Sequence, residues 1–117
     1  MVGLGGAIGA MTRYGLSLAL PRVDANSFPS STLIANLVGC LLIGVLWNSL
    51  SKSPHWLSQF LIIGILGGFT TFSSFGLESV QLFKAGKLGL AGLYVGISTL
   101  GGILCVFLGY GLSKGLN

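Results

Sequence analysis

The residues that could bind a ligand are concentrated in residues 64–76, which read Gly-Ile-Leu-Gly-Gly-Phe-Thr-Thr-Phe-Ser-Ser-Phe-Gly. Gly67-Gly68 and the β-branched Thr70-Thr71 are poor residues for an uninterrupted helix. A break here would leave backbone carbonyl and amide groups without helical partners. At membrane depth such groups are tolerated only when they are buried in protein or bound to ions or water. The stretch therefore predicts an ion site built from a broken helix.

Two aromatic residues follow the predicted break. Phe72 and Phe75 lie on one side of the next helical turn. The rings can pack against lipid or other helices, which is the usual role of two Phe residues in a span. Alternatively, their edges, which are the positive part of the aromatic quadrupole, can face an anion. The spacing alone does not decide between these interpretations.

Other polar side chains also lie inside apolar stretches, where they are costly unless they face a packed interior or a wet path. Thr32 and Asn36 are four residues apart, as are Tyr94 and Ser98, so each pair shares a helix face. Hydrogen bonds between helices are a sufficient explanation of each pair. Arg13 is a charge well inside an apolar stretch, where it can snorkel to the membrane surface or line a polar vestibule.

The elements that must position these residues are predicted to be membrane helices. Of 117 residues, 52% are hydrophobic and 7% are charged, whereas soluble domains carry about 25% charged residues. A span needs about 20 mostly apolar residues. We therefore expect an all-α membrane protein in which residues 1–117 form a single four-helix domain with a broken third helix. Short loops should make sequential helices antiparallel neighbours. The predicted spans are residues 1–20, 31–50, 55–83 and 88–112, all approximate.

The six basic residues are scattered rather than clustered, which argues against a nucleic-acid partner despite a net charge of +4. In a four-span arrangement, Lys52 and Lys114 fall on one side of the membrane, and Arg22, Lys84 and Lys87 fall on the other. Positive charge in loops normally sets orientation. Because the bias is so small, the chain could insert both ways up, which permits antiparallel dimers.

Two classes of chemistry have no support in the sequence. Cys40 and Cys105 each lie inside an apolar stretch, which favours free cysteines over a disulfide framework or a metal site. The sequence shows no nucleophile–base pair or metal-ligand cluster, so an enzyme is not expected. No phosphate loop of the form Gly-x-x-x-x-Gly-Lys occurs, so transport should be passive.

With these residues in view, the chain resembles the CrcB/Fluc family of fluoride channels over essentially its whole length. The resemblance is most specific in the third of three motifs that occur in the family's order and spacing. The motifs are Gly5-Gly6-Ala7-Ile8-Gly9-Ala10 with Arg13-Tyr14, then Ser31-Thr32-Leu33-Ile34-Ala35-Asn36-Leu37-Val38-Gly39, then Gly67-Gly68-Phe69-Thr70-Thr71-Phe72-Ser73-Ser74-Phe75.

The resemblance implies an antiparallel, dual-topology dimer of four-helix subunits with two pores and a structural sodium ion at the dimer interface. Backbone carbonyls around Gly67 and Thr70 of both subunits would hold the sodium ion. The remaining roles implied by similarity are an aromatic box that contacts fluoride, a hydrogen bond in the pore, a polar track and a vestibule. By similarity, the aromatic box would be formed by Phe72 and Phe75, and the pore hydrogen bond would come from Asn36. The polar track would comprise Thr71, Tyr94 and Ser98, and the vestibule would contain Arg13.

The implied function is passive export of fluoride from the cytoplasm across the inner or plasma membrane, which reduces fluoride toxicity. A monovalent anion gains about 2.3 kcal/mol per 100 mV on leaving an inside-negative cell. HF can enter across lipid and dissociate inside, so a passive anion leak is sufficient. A homodimer is favoured because Asn36, Phe72 and Phe75 are all present, and a heterodimer with a paralogous subunit stays open.

Two other functions are compatible with four hydrophobic helices. A small multidrug exporter needs a membrane-embedded carboxylate in its first span, whereas the acids here are Asp24 in a loop and Glu78 late in the third span. A non-transporting membrane subunit would use its glycines for packing only. It would conduct no ions when purified.

Overall fold

The first two helices lie on either side of a short connection. In the computed structural model, which describes residues 1–20 and 27–116, helix α1 spans Val2–Ala19 and helix α2 spans Ser30–Ser49. The loop residues Arg22 and Asp24 lie outside the described residues. The regular secondary structure in the two described ranges is entirely helical, in agreement with the predicted all-α class.

Three further helices complete the chain. Helix α3 comprises residues 55–69, α4 spans Phe72–Lys84 and α5 comprises residues 88–116. The backbone is π-helical at Gln59–Leu66 within α3 and at Ile97–Gly101 within α5. Such wide turns are rare and often occur at functional sites, so both helices depart from regular geometry near the residues that the sequence singled out.

Local residue chemistry explains where several helices begin and end. Pro29 and Pro54 immediately precede α2 and α3, where the missing amide proton costs no helical hydrogen bond. After α4 the chain turns at Gly86, whose φ of 78° is readily adopted only by glycine. The amide of Lys87 then donates to the Leu82 carbonyl at 3.0 Å, which closes a Schellman motif at the helix end.

Three helical segments in the described chain are long and apolar enough to cross a membrane: Ser30–Ser49, His55–Lys84 and Leu88–Gly115. Helix α1 is less apolar, because Thr12 and Arg13 lie within it. Many large apolar side chains point outward from the chain, including Met11 at 74% exposure and Phe107 at 70%. An apolar outer surface on long apolar helices is expected of a multi-pass membrane protein.

Helices α1 and α3 pack side by side along a seam of glycines. A Cβ on Gly5 would lie 2.5 Å from the carbonyl oxygen of Phe60, and one on Gly68 would lie 2.5 Å from that of Gly6. Neither distance can be accommodated without moving the backbone. The absence of a side chain at these positions therefore allows the close approach, as small residues do between membrane helices.

A second glycine seam joins α2 to α5. A Cβ on Gly44 would lie 3.1 Å from the Cα of Gly109, and one on Gly109 would lie 3.1 Å from the Cα of Gly44. The closest packing thus joins alternate spans that run parallel, rather than the sequential, antiparallel neighbours that short loops suggested. The physical reason is that the facing glycines lie on alternate spans.

Candidate functional site

Helical geometry is interrupted for two residues between α3 and α4. Thr70 has φ −87° and ψ 156°, and Thr71 has φ −151° and ψ 124°, so both are extended. The last carbonyl groups of α3 and the first amides of α4 therefore lack partners within their own helices. The negative end of the α3 dipole and the positive end of the α4 dipole meet at this point.

The extended residues are held by side chains on both sides. The Asn36 side chain donates from Nδ2 to the Thr71 carbonyl at 3.0 Å and accepts from the Thr71 amide on Oδ1 at 2.9 Å. The Thr71 hydroxyl caps α4 by accepting from the Ser74 amide at 3.2 Å. The Thr70 amide and hydroxyl both donate to the Leu66 carbonyl at 2.9 Å. The interruption is therefore a hydrogen-bonded structure with a defined shape.

A cavity of about 410 Å³ opens beside the interruption, between α2, α3, α4 and α5. Its wall contains most of the residues that the sequence and the family resemblance proposed. The predicted pore residues on it are Asn36, Thr71, Phe72, Phe75 and Ser98, and both predicted sodium-site residues, Gly67 and Thr70, lie there as well. Residues from four helices are thus brought to one concave surface.

The two phenylalanines have different surroundings. Phe72 is 83% exposed at the edge of the cavity, while Phe75 is half-buried behind it. Their ring centroids are 5.7 Å apart and the rings are tilted by 49°. The Phe75 ring also lies 5.2 Å from the ring of Tyr94. Phe75 is therefore held by packing, whereas one face of the site is open in the single chain.

The Ser98 hydroxyl has no hydrogen-bond partner among the described residues, although its oxygen is buried. Ser98 lies in the π-helical stretch of α5 and lines the cavity. A buried hydroxyl without a partner is costly and is uncommon in folded proteins. A ligand in the cavity would satisfy it, and an anion would accept a hydrogen bond from it.

Tyr94 lies behind the cavity wall rather than on it. Its side chain is completely buried, and its ring meets Phe28 edge-on at 5.6 Å. Its hydroxyl donates to Oε1 of Glu78 at 3.4 Å, and the Thr32 hydroxyl donates to Oε2 of the same carboxylate at 3.1 Å. Tyr94 therefore supports Phe75 from behind and links α5 to α4.

Glu78 is the residue that sequence reasoning missed. It was considered only as an acid late in a span. A signal was present, because Glu78 follows Phe75 by three residues and such pairs are neighbours on a helix surface. A carboxylate within a membrane segment is by default a functional candidate. In the structure it joins α2, α4 and α5 immediately behind the predicted aromatic box.

Arg13 is placed on the opposite side of the interruption. Its Nε donates to the carbonyl of Gly68 at 3.4 Å, close to the C-terminal end of α3. A cation there is favourable because the helix dipole is negative at that end. Arg13 is not among the residues that line the cavity.

Comparison with known proteins identifies the family. The family model described as CrcB-like protein, Camphor Resistance (CrcB) matches residues 1–110. The chain belongs to the CrcB family. This confirms the resemblance found in the three sequence motifs. As a member of this family, the chain is not an enzyme.

Several relatives of this CrcB chain are named Fluoride-specific ion channel FluC. The protein of that name from Azobacteroides pseudotrichonymphae is 42% identical over 97% of this chain and 94% of its own length. The one from Agrobacterium fabrum is 41% identical over 99% of this chain and 95% of its own length. The one from Cereibacter sphaeroides is 46% identical over 83% and 78%, respectively.

Proposed function

We propose that this CrcB chain is the subunit of a dimeric channel that conducts fluoride passively out of the cytoplasm across the inner or plasma membrane. The observation that carries the proposal is the hydrogen-bonded interruption at Thr70 and Thr71, which presents the α4 N-terminus to a cavity lined by Phe72, Phe75 and Ser98. The names of the similar proteins specify fluoride as the anion.

The cavity offers several weak interactions suited to a small anion. The first amides of α4 carry partial positive charge. The Ser98 hydroxyl is a donor without a partner in the described chain, and the edges of the Phe72 and Phe75 rings are positive. Fluoride must exchange its strong hydration for such groups, each weak enough to let it leave. These residues form the proposed fluoride path, with Asn36 and Thr71 holding the α4 N-terminus in place.

A sodium ion fits the other end of the interruption. The α3 helix ends there, and residues Gly67 and Thr70 lie on the cavity surface. Across residues 1–20 and 27–116, no cluster of three or more acidic, histidine or cysteine side chains occurs. Backbone carbonyl oxygens are ligands that a hard cation accepts. We propose that Gly67 and Thr70 of two copies supply them. A bound sodium ion would balance the negative end of α3.

A second copy of the chain would complete the site. Phe72 is 83% exposed in the single chain, and the cavity holds polar groups from Asn36, Thr71 and Ser98. In a bilayer such groups must face protein or water rather than lipid. We propose that an inverted copy covers them, because the balanced loop charges favour neither orientation. The proposed assembly is a homodimer, and a heterodimer with a paralogous subunit is the alternative.

The deciding experiment is fluoride efflux from liposomes that hold the purified protein, read with a fluoride electrode and repeated with chloride. We expect fast fluoride release and little chloride release. Replacing Phe75 with Ile should lower the fluoride rate at least about tenfold, since it removes a ring edge from the path. Replacing Phe83, which is exposed at the far end of α4, with Ile is the matched control. A stable dimer that releases no fluoride would overturn the proposal of a self-sufficient channel.

A further inference from the structure

Helices α2 and α5 pack in parallel with a well-defined register. Gly44 and Gly109 face each other, since a Cβ on either would lie 3.1 Å from the Cα of the other. Further along the same two helices, the hydroxyl oxygens of Ser49 and Ser113 are 3.0 Å apart. Counting from these two pairs therefore matches positions on α2 to positions on α5 to within one residue.

The two cysteines occupy matching positions one turn before the glycine pair. Cys40 precedes Gly44 by four residues, and Cys105 precedes Gly109 by four, which is about one helical turn on each helix. The Cys40 sulfur lies 3.3 Å from the place a Cβ would take on Gly102, so it points at α5. Both cysteines are free and partly exposed.

We propose that Cys40 and Cys105 together form a binding site for a thiophilic divalent cation that accepts linear two-coordinate geometry, with Hg²⁺ as its probe. Thiolate sulfur is a soft ligand and selects soft metal ions. Binding breaks two S–H bonds, forms two sulfur–metal bonds and releases two protons to water, and no electron is transferred. A divalent ion with two thiolates is a neutral unit, which avoids the cost of burying net charge in a membrane.

The site adjoins the proposed fluoride path. Cys40 lines the same cavity as Asn36, Thr71 and Ser98, whereas Cys105 is not among the lining residues. An ion that bridges the two sulfurs would therefore lie at the cavity wall. It would place a bulky metal atom beside residues that hold the α4 N-terminus. We expect metal binding to slow fluoride conduction, and this consequence rests on the proposed function.

Metal binding itself is tested on the purified full-length protein by titrating Hg²⁺ against a competing monothiol and following ultraviolet sulfur–metal absorbance. We expect one ion per chain and release of two protons. Replacing Cys105 with Ser should weaken Hg²⁺ binding by about 100-fold, because the second bond is then no longer intramolecular. Two ions per chain, or an unchanged affinity in that variant, would overturn the pair as one site.

Methylmercury supplies the matched control, because it forms one sulfur bond only. Its affinity for Cys40 should change less than about threefold when Cys105 is replaced with Ser, since no chelation is lost. A loss as large as that seen for Hg²⁺ would show that the substitution disturbs the helix packing. That result would overturn the conclusion that Hg²⁺ is held by one bond to each of the two sulfurs.

Fluoride conduction is tested in the same liposome assay, with each protein compared with its own untreated rate. Hg²⁺ should slow the wild-type chain at least about tenfold at a concentration that leaves the Cys105→Ser variant unslowed, in line with their difference in affinity. Metal binding with unchanged fluoride release would overturn the inhibitory role. A wild-type chain that releases no fluoride before metal is added would instead contradict the proposed function, while the binding measurement would still test the site.

Discussion

At the scale of single residues, the side-chain amide of Asn36 serves as a partner for an extended backbone. It exchanges one hydrogen bond in each direction with Thr71, as a neighbouring strand would. Thr71 in turn caps α4 through its hydroxyl group. The position of the α4 N-terminus therefore depends on a residue from α2, so Asn36 acts on the proposed path by holding it as well as by lining it.

The first prediction concerns this amide. Replacing Asn36 with Asp keeps the acceptor for the Thr71 amide but loses the donor to its carbonyl, and it adds negative charge to the wall of an anion cavity. Loss of a buried hydrogen bond costs about 1–3 kcal/mol, so the fluoride efflux rate should fall at least about tenfold. The control is Asn48→Asp, the same change near the end of the same helix. Equal rates for the two variants would contradict the role given to Asn36.

Several site residues could be found from the sequence because they are close together along the chain. Thr71, Phe72 and Phe75 form one short stretch, and helical periodicity places both rings on one side. The shared face expected for Tyr94 and Ser98 in α5 stays a prediction. The backbone becomes π-helical at Ile97, between the two residues. Of this pair, Ser98 lines the cavity, whereas Tyr94 packs against Phe75 behind its wall.

At the scale of elements, the glycines of α3 differ from the residues that leave helical geometry. Gly67 and Gly68 are helical, and the extended residues are Thr70 and Thr71. Gly68 packs against the backbone of Gly6 on α1, so close approach explains that glycine. The low helix propensity of the stretch was visible in the sequence. Its exact position was not, because the contact with α1 and the hydrogen bonds from Asn36 set it.

The glycine seam between α1 and α3 makes a second prediction. A Cβ on Gly9 would lie 2.8 Å from the amide nitrogen of Phe69 and would collide with the backbone of Ile65. Such overpacking costs about 1–3 kcal/mol, so Gly9→Ala should lower the midpoint of thermal unfolding in detergent. The midpoint is followed by loss of the monodisperse size-exclusion peak.

The matched control for Gly9 lies on the same helix. Gly15 faces open space, and alanine is the better helix former by about 1 kcal/mol. Gly15→Ala should therefore leave the midpoint unchanged or raise it slightly. An equal drop in the unfolding midpoint of both variants would show that α1 is sensitive to an added methyl group outside the seam as well. That result would contradict the role given to close packing at Gly9.

At the scale of the whole molecule, the open side of the cavity has a direct bearing on assembly. The outward-facing Phe72 and the polar lining of the cavity lie on one side of the chain. The fold class and the membrane character followed from composition and the lengths of apolar stretches. The proposed second copy rests on family resemblance and loop charge rather than on periodicity, since periodicity shows only that a face is apolar or polar.

Insertion of the chain in both orientations gives a third prediction. A cysteine placed at Ser51, which is exposed in the loop between α2 and α3, would report the location of that loop. In a chain with Cys40→Ser and Cys105→Ser, a membrane-impermeant maleimide should label about half of the molecules in intact spheroplasts, since the loop charges are balanced. The rest should react after permeabilisation. Labelling of all molecules, or of none, before permeabilisation would exclude an inverted pair.

The pairing of alternate spans, α1 with α3 and α2 with α5, has a consequence for biosynthesis. The glycine seam between α1 and α3 cannot form until α3 has been made. The second seam, between α2 and α5, cannot form until α5 has been made. During synthesis, α1 and α2 are therefore inserted into the bilayer before the helices that they pack against most closely have been made. A product released after α2 would carry half of each seam and complete neither. Early termination should thus yield a fragment that quality-control proteases remove, rather than a stable partial subunit.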